Sequence, residues 1–268
     1  MNEGYLNPMP RVVAHRGDSK NFPENTLPAF LSAVKMGIDV VETDVHLSSD
    51  NVIVIWHDST LDRNTDGSGT IEEHTYEELL KYDAGYTFSK DGGKTFPFRG
   101  KGIKLCSLED ALIECPNQRF NIDLKTKQSG IVEEFIRIVR KHHAEHRVCC
   151  ASFHLTNLKS VRKIAPDILT SITTIEVLCI LIKHKLHILP KKLSKGRKII
   201  FQVPVGQYGI KLITPSFIKA MHKRDAVIMV WTINEENEMR RLFKMGVDAV
   251  MTDDPKTVIK VASEMNLR

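Results

Sequence analysis

Two histidines and an acidic pair near the start of the chain carry the side chains that phosphate-ester chemistry needs. His15 lies in an Ala-His-Arg-Gly segment, His57 lies in a Trp-His-Asp segment, and Glu42 and Asp44 lie between them. Imidazole takes up or releases a proton near neutral pH. Carboxylates bind hard divalent cations such as Mg²⁺ and Ca²⁺. The four residues together predict a site that holds a divalent metal and moves protons on a phosphate ester.

The spacing of Glu42 and Asp44 places both carboxylates on one face of a strand, because residues i and i+2 of a strand point the same way. Two like charges on one face repel each other unless a cation lies between them. A solvated strand face is the alternative for an isolated Glu-x-Asp pair. We favour the metal site because the pair ends an apolar run and the next apolar segment, 52–56, leads directly into His57.

Short apolar runs alternate with helical patterns along the chain and predict an α/β fold. Runs that are too uniformly apolar for a one-sided sheet indicate parallel strands covered by helices. Eight such units favour a (β/α)8 TIM barrel; an open doubly wound sheet is the alternative, but no Gly-x-Gly-x-x-Gly follows a strand. The predicted strands are 12–15, 40–44, 120–124, 148–152, 169–173, 199–203, 227–232 and 249–252. The predicted helices are 25–36, 107–114, 130–142, 156–164, 175–185, 215–223, 235–244 and 255–264.

One apolar segment, 52–56, does not fit this alternation. Only five residues separate it from the second strand, too few for a parallel crossover, so we expect an antiparallel hairpin. The hairpin would return His57 toward Glu42 and Asp44 at the carboxyl ends of the strands, where barrel enzymes keep their active sites. The long connection that follows, 59–103, is predicted to be a small insertion capping the site.

Polar and aromatic residues at other strand ends extend the candidate site. Asp123 can complete the carboxylate set for the metal, and Lys125 can face a phosphate oxygen. Trp231 either joins the site or fills the top of the barrel. We expect two further residues to cap helices: Asn25 the first helix and Asp253 the last. His46 shares the parity of Glu42 and Asp44, so a regular strand would point it toward the mouth as well.

The bulk properties agree with an enzyme. A length of 268 residues is normal for a barrel. The net charge of +5 is too weak to argue for nucleic-acid binding but suits an anionic substrate. The five cysteines have no metal-ligand spacing, so we expect reduced, mostly buried thiols in a cytoplasmic protein. Neither a signal-peptide pattern nor a membrane-spanning apolar run is present, and the oligomeric state stays open.

The segment 175–198 combines an apolar stretch with a basic cluster. The cluster consists of Lys191, Lys192, Lys195, Arg197 and Lys198. This combination is typical of a helix that lies on an anionic lipid surface, so peripheral membrane contact is one interpretation. The other is an ordinary barrel helix with a solvated basic end, which we favour because most amphipathic helices simply cover a core.

Eight short motifs occur in order along almost the whole chain, from about residue 11 to residue 261. They are His15-Arg16-Gly17, Glu24-Asn25-Thr26, Glu42-Thr43-Asp44-Val45, His57-Asp58, Leu61-Asp62-Arg63, Asp123-Leu124-Lys125, Trp231-Thr232-Ile233-Asn234 and Thr252-Asp253. This set of motifs resembles the glycerophosphodiester phosphodiesterase family. The resemblance implies a TIM barrel at 11–265, with the small insertion at 59–103 and an N-terminal extension at 1–10. It also implies hydrolysis of glycerophosphodiesters to glycerol 3-phosphate and an alcohol with a divalent metal.

The resemblance also implies a role for each candidate residue. It makes His15 and His57 the acid-base pair. It makes Glu42, Asp44 and Asp123 the metal ligands, although the family more often has Glu where Asp123 stands, one methylene longer. It also assigns three residues to substrate binding: Arg16 and Lys125 would hold phosphoryl oxygens, and Trp231 would pack against the glycerol or the leaving group.

Two other functions are kept beside the main one. Some members of the family act on lysophospholipids, and stretches of this sequence resemble that branch, so a lysophospholipase D at a membrane surface is the enzymatic alternative. A barrel that has lost catalysis and kept its pocket as a binding module is the non-enzymatic alternative. The presence of both histidines and all three carboxylates argues against the latter.

Overall fold

A barrel of eight parallel strands forms the centre of the computed structural model, which describes residues 4–194, 196–207 and 209–268. In chain order the strands are β1 (Val12–His15), β2 (Val40–Leu47), β3 (Ile53–Ile55), β4 (Cys106–Ser107), β5 (Arg119–Leu124), β6 (Val148–Ala151), β7 (Leu169–Thr170), β8 (Ile199–Val203), β9 (Gly206–Gln207), β10 (Ile210–Lys211), β11 (Ala226–Val230) and β12 (Ala249–Thr252). The barrel order is β7, β6, β5, β2, β1, β12, β11, β8, and a parallel bridge between Ser171 and Ile200 joins β7 to β8. The predicted (β/α)8 fold is confirmed.

Helices surround the barrel because each presents an apolar stripe to the sheet. They are α1 (Leu27–Lys35), α2 (Tyr76–Leu79), α3 (Leu108–Glu114), α4 (Ile131–Lys141), α5 (Leu155–Ile164), α6 (Thr174–Lys185), α7 (Pro215–His222), α8 (Glu236–Met245) and α9 (Pro255–Glu264). On α4, for example, Ile131, Phe135 and Ile138 are buried against the strands. The larger apolar core therefore lies between the helices and the outer surface of the barrel.

A second, smaller core fills the inside of the barrel. Its members include Val13, Val40, Met229 and Met251. Two residues further along the chain lie, in the same order, His15, Glu42, Trp231 and Asp253. Side chains two residues apart point to the same side of a strand. The second set therefore continues the interior positions toward the carboxyl ends of the strands.

The predicted hairpin after the second strand is present. β2 continues to Leu47, and β3 pairs with it antiparallel, with Val45 opposite Ile55 and Leu47 opposite Ile53. The connection that follows contains a short 3₁₀ helix at Ile71–Glu73 and helix α2. Their buried side chains form a separate apolar cluster with Trp56. The hairpin and this cluster hold the segment around His57 over the barrel mouth.

Both predicted helix caps are wrong. Helix α1 begins after Thr26, and the Asn25 side chain turns inward to donate to Asp44 Oδ2 at 3.0 Å. Helix α9 is capped by Asp254, whose carboxylate accepts from the Thr257 amide at 3.1 Å. In both places the side chain hydrogen-bonds a polar group inside the protein instead of the amide groups at the start of the helix.

The chain before β1 closes the lower end of the barrel. Tyr5 is fully buried in the interior core, and the Arg119 guanidinium donates to the Tyr5 carbonyl at 3.0 Å and to the Pro8 carbonyl at 2.6 Å. Residues 4–10, the described part of the expected N-terminal extension, thus pack against the barrel. The domain boundaries stay predictions.

The segment 175–198 begins in α6, and Lys195 of its basic cluster lies outside the described residues. Among the described helices, none has the length and apolar character needed to cross a membrane. Four of the five cysteines are buried, as expected, and Cys179 on α6 is exposed. The cytoplasmic location stays a prediction.

Candidate active site

All eight candidate side chains line one pocket at the carboxyl ends of the barrel strands. The pocket has a volume of about 210 Å³, and its wall includes His15, Arg16, Glu42, Asp44, His57, Asp123, Lys125 and Trp231. Strands β1, β2, β5 and β11 and the hairpin contribute them. Their roles stay predictions, but the tertiary structure brings all eight side chains together.

His15 is held by a carboxylate from the far end of the chain. Its Nδ1 lies 2.7 Å from Asp253 Oδ1, and Asp253 also accepts from Ser19 Oγ at 3.1 Å and Asn234 Nδ2 at 2.7 Å. Burial acts to lower the pKa of His15, but the hydrogen bond to Asp253 and the charge of Glu42 raise it above its usual value. Asp253 therefore orients an imidazole rather than capping α9.

His57 has a carboxylate partner of its own. Its Nδ1 lies 2.5 Å from Oδ1 of the adjacent Asp58. Burial opposes ionisation of Asp58, but hydrogen bonds from Arg63 and His57 lower its pKa to about 2. Asp58 therefore stays ionised near neutral pH and fixes the ring of His57. With both Nδ1 atoms bound to carboxylates, Nε2 is the ring atom of each histidine left to exchange protons in the pocket.

A chain of ion pairs links the His57 side of the pocket to Arg16. Glu24 accepts from Arg16 Nη1 at 2.8 Å and from Arg63 Nη2 at 2.7 Å. Arg63 in turn binds Asp58. Arg16 has a backbone φ of 57°, and its amide donates to Glu42 Oε2 at 3.2 Å. Glu24 thus holds the arginine whose guanidinium lines the pocket.

Asp44 is surrounded by cationic and polar groups. Lys125 Nζ lies 2.8 Å from its Oδ1, and Arg16 Nε lies 3.1 Å from its Oδ2. Asn25 donates to the same Oδ2 and accepts from Thr43 Oγ1 at 2.8 Å. Burial acts to raise the pKa of Asp44, but Lys125 and Arg16 lower it below its usual value. Asp44 is therefore a carboxylate in the ordinary pH range.

The burial of the Glu42 and Asp123 carboxyl groups is less well offset by nearby positive charge than that of Asp44. Burial and the nearby charge of Asp44 raise the pKa of Glu42 to about 7. Burial likewise raises the pKa of Asp123, whose Oδ2 contacts Lys125 Nζ at 2.8 Å while its Oδ1 is buried without a hydrogen-bond partner. The two cations of the pocket therefore offset the burial of Glu42 and Asp123 only in part, and both carboxyl groups favour the neutral form more than usual.

The carboxylates fit a hard divalent cation in their chemistry but do not enclose one in this arrangement. Within residues 4–194, 196–207 and 209–268, no three histidine, cysteine or acidic side chains form a metal-binding cluster. The Lys125 ammonium group lies between Asp44 and Asp123. The unpartnered Asp123 Oδ1 and the raised pKa of Glu42 still mark these oxygens as acceptors for added positive charge.

Aromatic rings form one side of the pocket. Phe153 and Trp231 meet edge to face with centroids 6.5 Å apart, and Phe153 is 59% exposed at the rim. Phe153 follows the end of a predicted strand, where aromatic groups are expected to line the mouth, but the sequence alone assigns it no role. Sequence reasoning missed Asp58 as the partner of His57, which the His-Asp adjacency could have indicated. His46 is buried outside the pocket wall, with Nε2 3.2 Å from the His57 carbonyl.

A TIM barrel whose pocket combines two carboxylate-bound imidazoles, three further carboxylates and two cations has the chemistry of a phosphodiester hydrolase. The chain belongs to the glycerophosphoryl diester phosphodiesterase family, whose model matches residues 15–257. This membership confirms both the predicted family and the predicted class of enzyme.

Curated proteins and solved structures agree with this assignment. The glycerophosphodiester phosphodiesterase of Caldanaerobacter subterraneus subsp. tengcongensis is 33% identical over 93% of this chain and 96% of its own length. The human lysophospholipase D GDPD1 is 27% identical over 91% of this chain and 83% of its own. A phosphodiesterase of Oleispira antarctica, solved with its product sn-glycerol-3-phosphate, is 25% identical and superposes with a TM-score of 0.74, covering 97% of this chain and 99% of its own.

Proposed function

We propose that this protein hydrolyses glycerophosphodiesters to glycerol 3-phosphate and an alcohol. The observation that carries the proposal is the pair of imidazoles in one pocket, each with Nδ1 bound to a carboxylate and each lining the same cavity as Arg16 and Lys125. Family membership and the product bound to the Oleispira antarctica relative support the choice of substrate.

The substrate phosphate would sit against the two cations. A phosphodiester carries one negative charge at neutral pH, and more charge develops as an oxygen attacks phosphorus. Arg16 and Lys125 offset that charge, and burial strengthens their effect because water screens it less. Glu24 keeps the Arg16 guanidinium in place through its 2.8 Å contact.

Proton transfer is assigned to the two Nε2 atoms. Nε2 of one histidine takes the proton of the attacking oxygen as the new P–O bond forms, and Nε2 of the other gives a proton to the departing alkoxide as the old bond breaks. The attacking oxygen belongs either to water or to the glycerol 2-hydroxyl, which would form a cyclic phosphate before hydrolysis. Following the reaction by ³¹P NMR distinguishes the routes, because only the second passes through a cyclic species.

Glu42, Asp44 and Asp123 are the residues that would hold a divalent cation, Mg²⁺ or Ca²⁺. Such an ion supplies positive charge that stabilises the transition state at phosphorus. Lys125 would turn from between Asp44 and Asp123 toward the phosphate when these carboxylates bind the ion. We expect EDTA to abolish turnover, and Mg²⁺ or Ca²⁺ to restore it and raise the melting temperature. An Asp123→Asn variant that keeps the full metal-induced rise in melting temperature would contradict this ligand set.

Replacing either pocket histidine tests the central assignment. We expect His15→Ala and His57→Ala each to lose at least about 100-fold in kcat toward glycerophosphocholine, because proton transfer contributes that much or more. Circular dichroism should show an unchanged fold. His146→Ala, at an exposed histidine far from the pocket, is the matched control. Full activity in either pocket variant would exclude the mechanism, and inactivity of the metal-loaded wild type would favour the binding-module alternative.

A lysophospholipid substrate is the second candidate. The exposed Phe153 ring beside Trp231 offers an apolar surface where an acyl chain could leave the pocket. The similarity to the human lysophospholipase D supports it as well. The ratio of kcat/KM for lysophosphatidylcholine to that for glycerophosphocholine decides between them. A ratio above one that falls in Phe153→Ala would favour the lipid substrate.

A further inference from the structure

Helix α6 carries a row of apolar side chains on its outer surface. Ile175, Leu178 and Ile182 are 57%, 53% and 49% exposed, and Leu186, the residue after the helix, is 60% exposed. Their spacings of three, four and four residues align them on one face of a helix. We call these four residues the α6 stripe.

The barrel does not need this stripe. The opposite side of α6 already provides the packing, with Val177 buried and Ile180 and Leu181 against the core. A helix at the surface of a soluble domain normally has one apolar face and one polar face. Two apolar faces on α6 indicate that the outer one has a partner of its own.

Positive charge flanks the stripe on both sides. At 100° per residue, Lys183 lies on one side of the stripe and Lys185 on the other. Glu176, the one acidic residue in the helix sequence, is already paired with Arg162 at 2.8 Å. Lys191 and Lys192, both exposed, continue the positive charge beyond the helix. The surface is therefore apolar with a cationic border, and it suits an anionic partner.

The stripe starts at the mouth of the active-site pocket. Thr173, Thr174 and Val177, at the beginning of α6, line that pocket together with Phe153. Ile175 is therefore adjacent to the pocket wall, and the helix runs about 18 Å away from it along the outside of the barrel. A partner that covers the stripe lies next to the entrance of the pocket.

We propose that the α6 stripe binds the surface of an anionic phospholipid bilayer and holds the pocket entrance at that surface. The apolar side chains enter the boundary between headgroups and acyl chains, and Lys183 and Lys185 contact the lipid phosphates. A second copy of the chain is a poorer occupant because it would bring the same lysines together. The benefit of placing the entrance there rests on the proposed phosphodiesterase function; the binding itself does not.

Vesicle sedimentation tests the docking. We expect the wild-type protein to sediment with phosphatidylcholine vesicles that contain phosphatidylglycerol, and to remain in the supernatant with phosphatidylcholine alone. Added salt should release it because the lysine contribution is screened. Lys183→Ala and Lys185→Ala should each weaken the partition coefficient about fivefold.

The stripe itself is tested by Leu178→Glu/Ile182→Glu, which should lower the partition coefficient at least about tenfold. The matched control is Leu31→Glu/Ile113→Glu, at positions 43% and 53% exposed on α1 and α3, which adds the same charge elsewhere. Hydrolysis of glycerophosphocholine should be unchanged in both. His15→Ala should bind vesicles normally, so a failure of catalysis and a failure of docking are separate results.

Three outcomes would overturn the proposal. One is a wild-type protein that ignores phosphatidylglycerol vesicles at low salt. Another is an equal loss of binding in the stripe variant and its control. The third is a dimer in sedimentation velocity that Leu178→Glu/Ile182→Glu dissociates, which would assign the stripe to a second copy of the chain.

Discussion

The pocket contains two histidine-carboxylate pairs, and their partners come from different parts of the chain. His57 uses Asp58, its neighbour in the chain, whereas His15 uses Asp253, which follows the last barrel strand. Each carboxylate fixes the ring nitrogen it contacts and leaves the other nitrogen able to exchange protons. A single charge change at Asp253 therefore affects the pKa and the orientation of His15 without touching the substrate.

We expect Asp253→Asn to lower the pKa of His15, because a neutral amide no longer stabilises the imidazolium form. Whether His15 acts as acid or base, its limb of the kcat/KM pH profile moves to lower pH, and kcat falls at least about tenfold. Asp254→Asn is the control, since that carboxylate contacts Lys20 and Thr257 instead. A profile that is identical in wild type and Asp253→Asn would argue against this pair.

At the scale of elements, the site depends on how closely α1 packs against the turn after β1. Gly17 has a φ of 85°, and a Cβ added there would lie 2.7 Å from the Ala29 backbone. The Asp18 amide donates to the Ala29 carbonyl at 2.9 Å, which holds the turn onto the helix. This close approach sets the position of His15 and Arg16, which precede the glycine directly.

Gly17→Ala should therefore lower the free energy of unfolding by about 2–4 kcal/mol, from the backbone clash together with the left-handed conformation. Gly92→Ala is the matched control, because Gly92 also has a positive φ, 73°, but has nothing within 4 Å of the added Cβ. We expect that variant to lose about 1 kcal/mol. Urea denaturation measures both, and equal losses would show that the approach to α1 is not tight.

At the scale of the whole molecule, the two ends of the barrel have opposite characters. The upper end is open and charged, and the lower end is closed by the chain before β1. Tyr5 is fully buried there, and its hydroxyl has no hydrogen-bond partner among the described residues. Arg119 fastens this segment by donating to two of its carbonyl groups. The chain before β1 thus completes the interior core beneath the candidate active site.

Two substitutions at Tyr5 should have opposite effects. Tyr5→Ala leaves a cavity in the interior core and should cost about 3–5 kcal/mol of unfolding free energy. Tyr5→Phe removes a buried hydroxyl without a partner, so stability should stay the same or rise by about 1 kcal/mol. Chemical denaturation of the two variants is the measurement. A Tyr5→Phe variant that loses stability would reveal a hydrogen bond from the hydroxyl.

Much of this architecture could be predicted because its signals are local. The β-branched runs around Val12, Val40 and Ile199 predict strands that are buried on both faces. The two-residue period of a strand places the side chains of Glu42 and Asp44 on the same side. Helix ends were predicted less well. Asn25 and Asp253 have side chains that suit a cap, but each found a buried partner from a distant part of the chain.

Short-range periodicity is enough to predict the number of barrel strands, the hairpin that returns His57 and the side chains at the strand ends. It does not predict which of those side chains meet, because that depends on the tertiary structure. Asp253 reaches His15 across 238 positions, and Lys125 lies between Asp44 and Asp123 because β2 and β5 are neighbours in the barrel. Contacts of this kind depend on how the sheet closes, and no spacing along one strand encodes them.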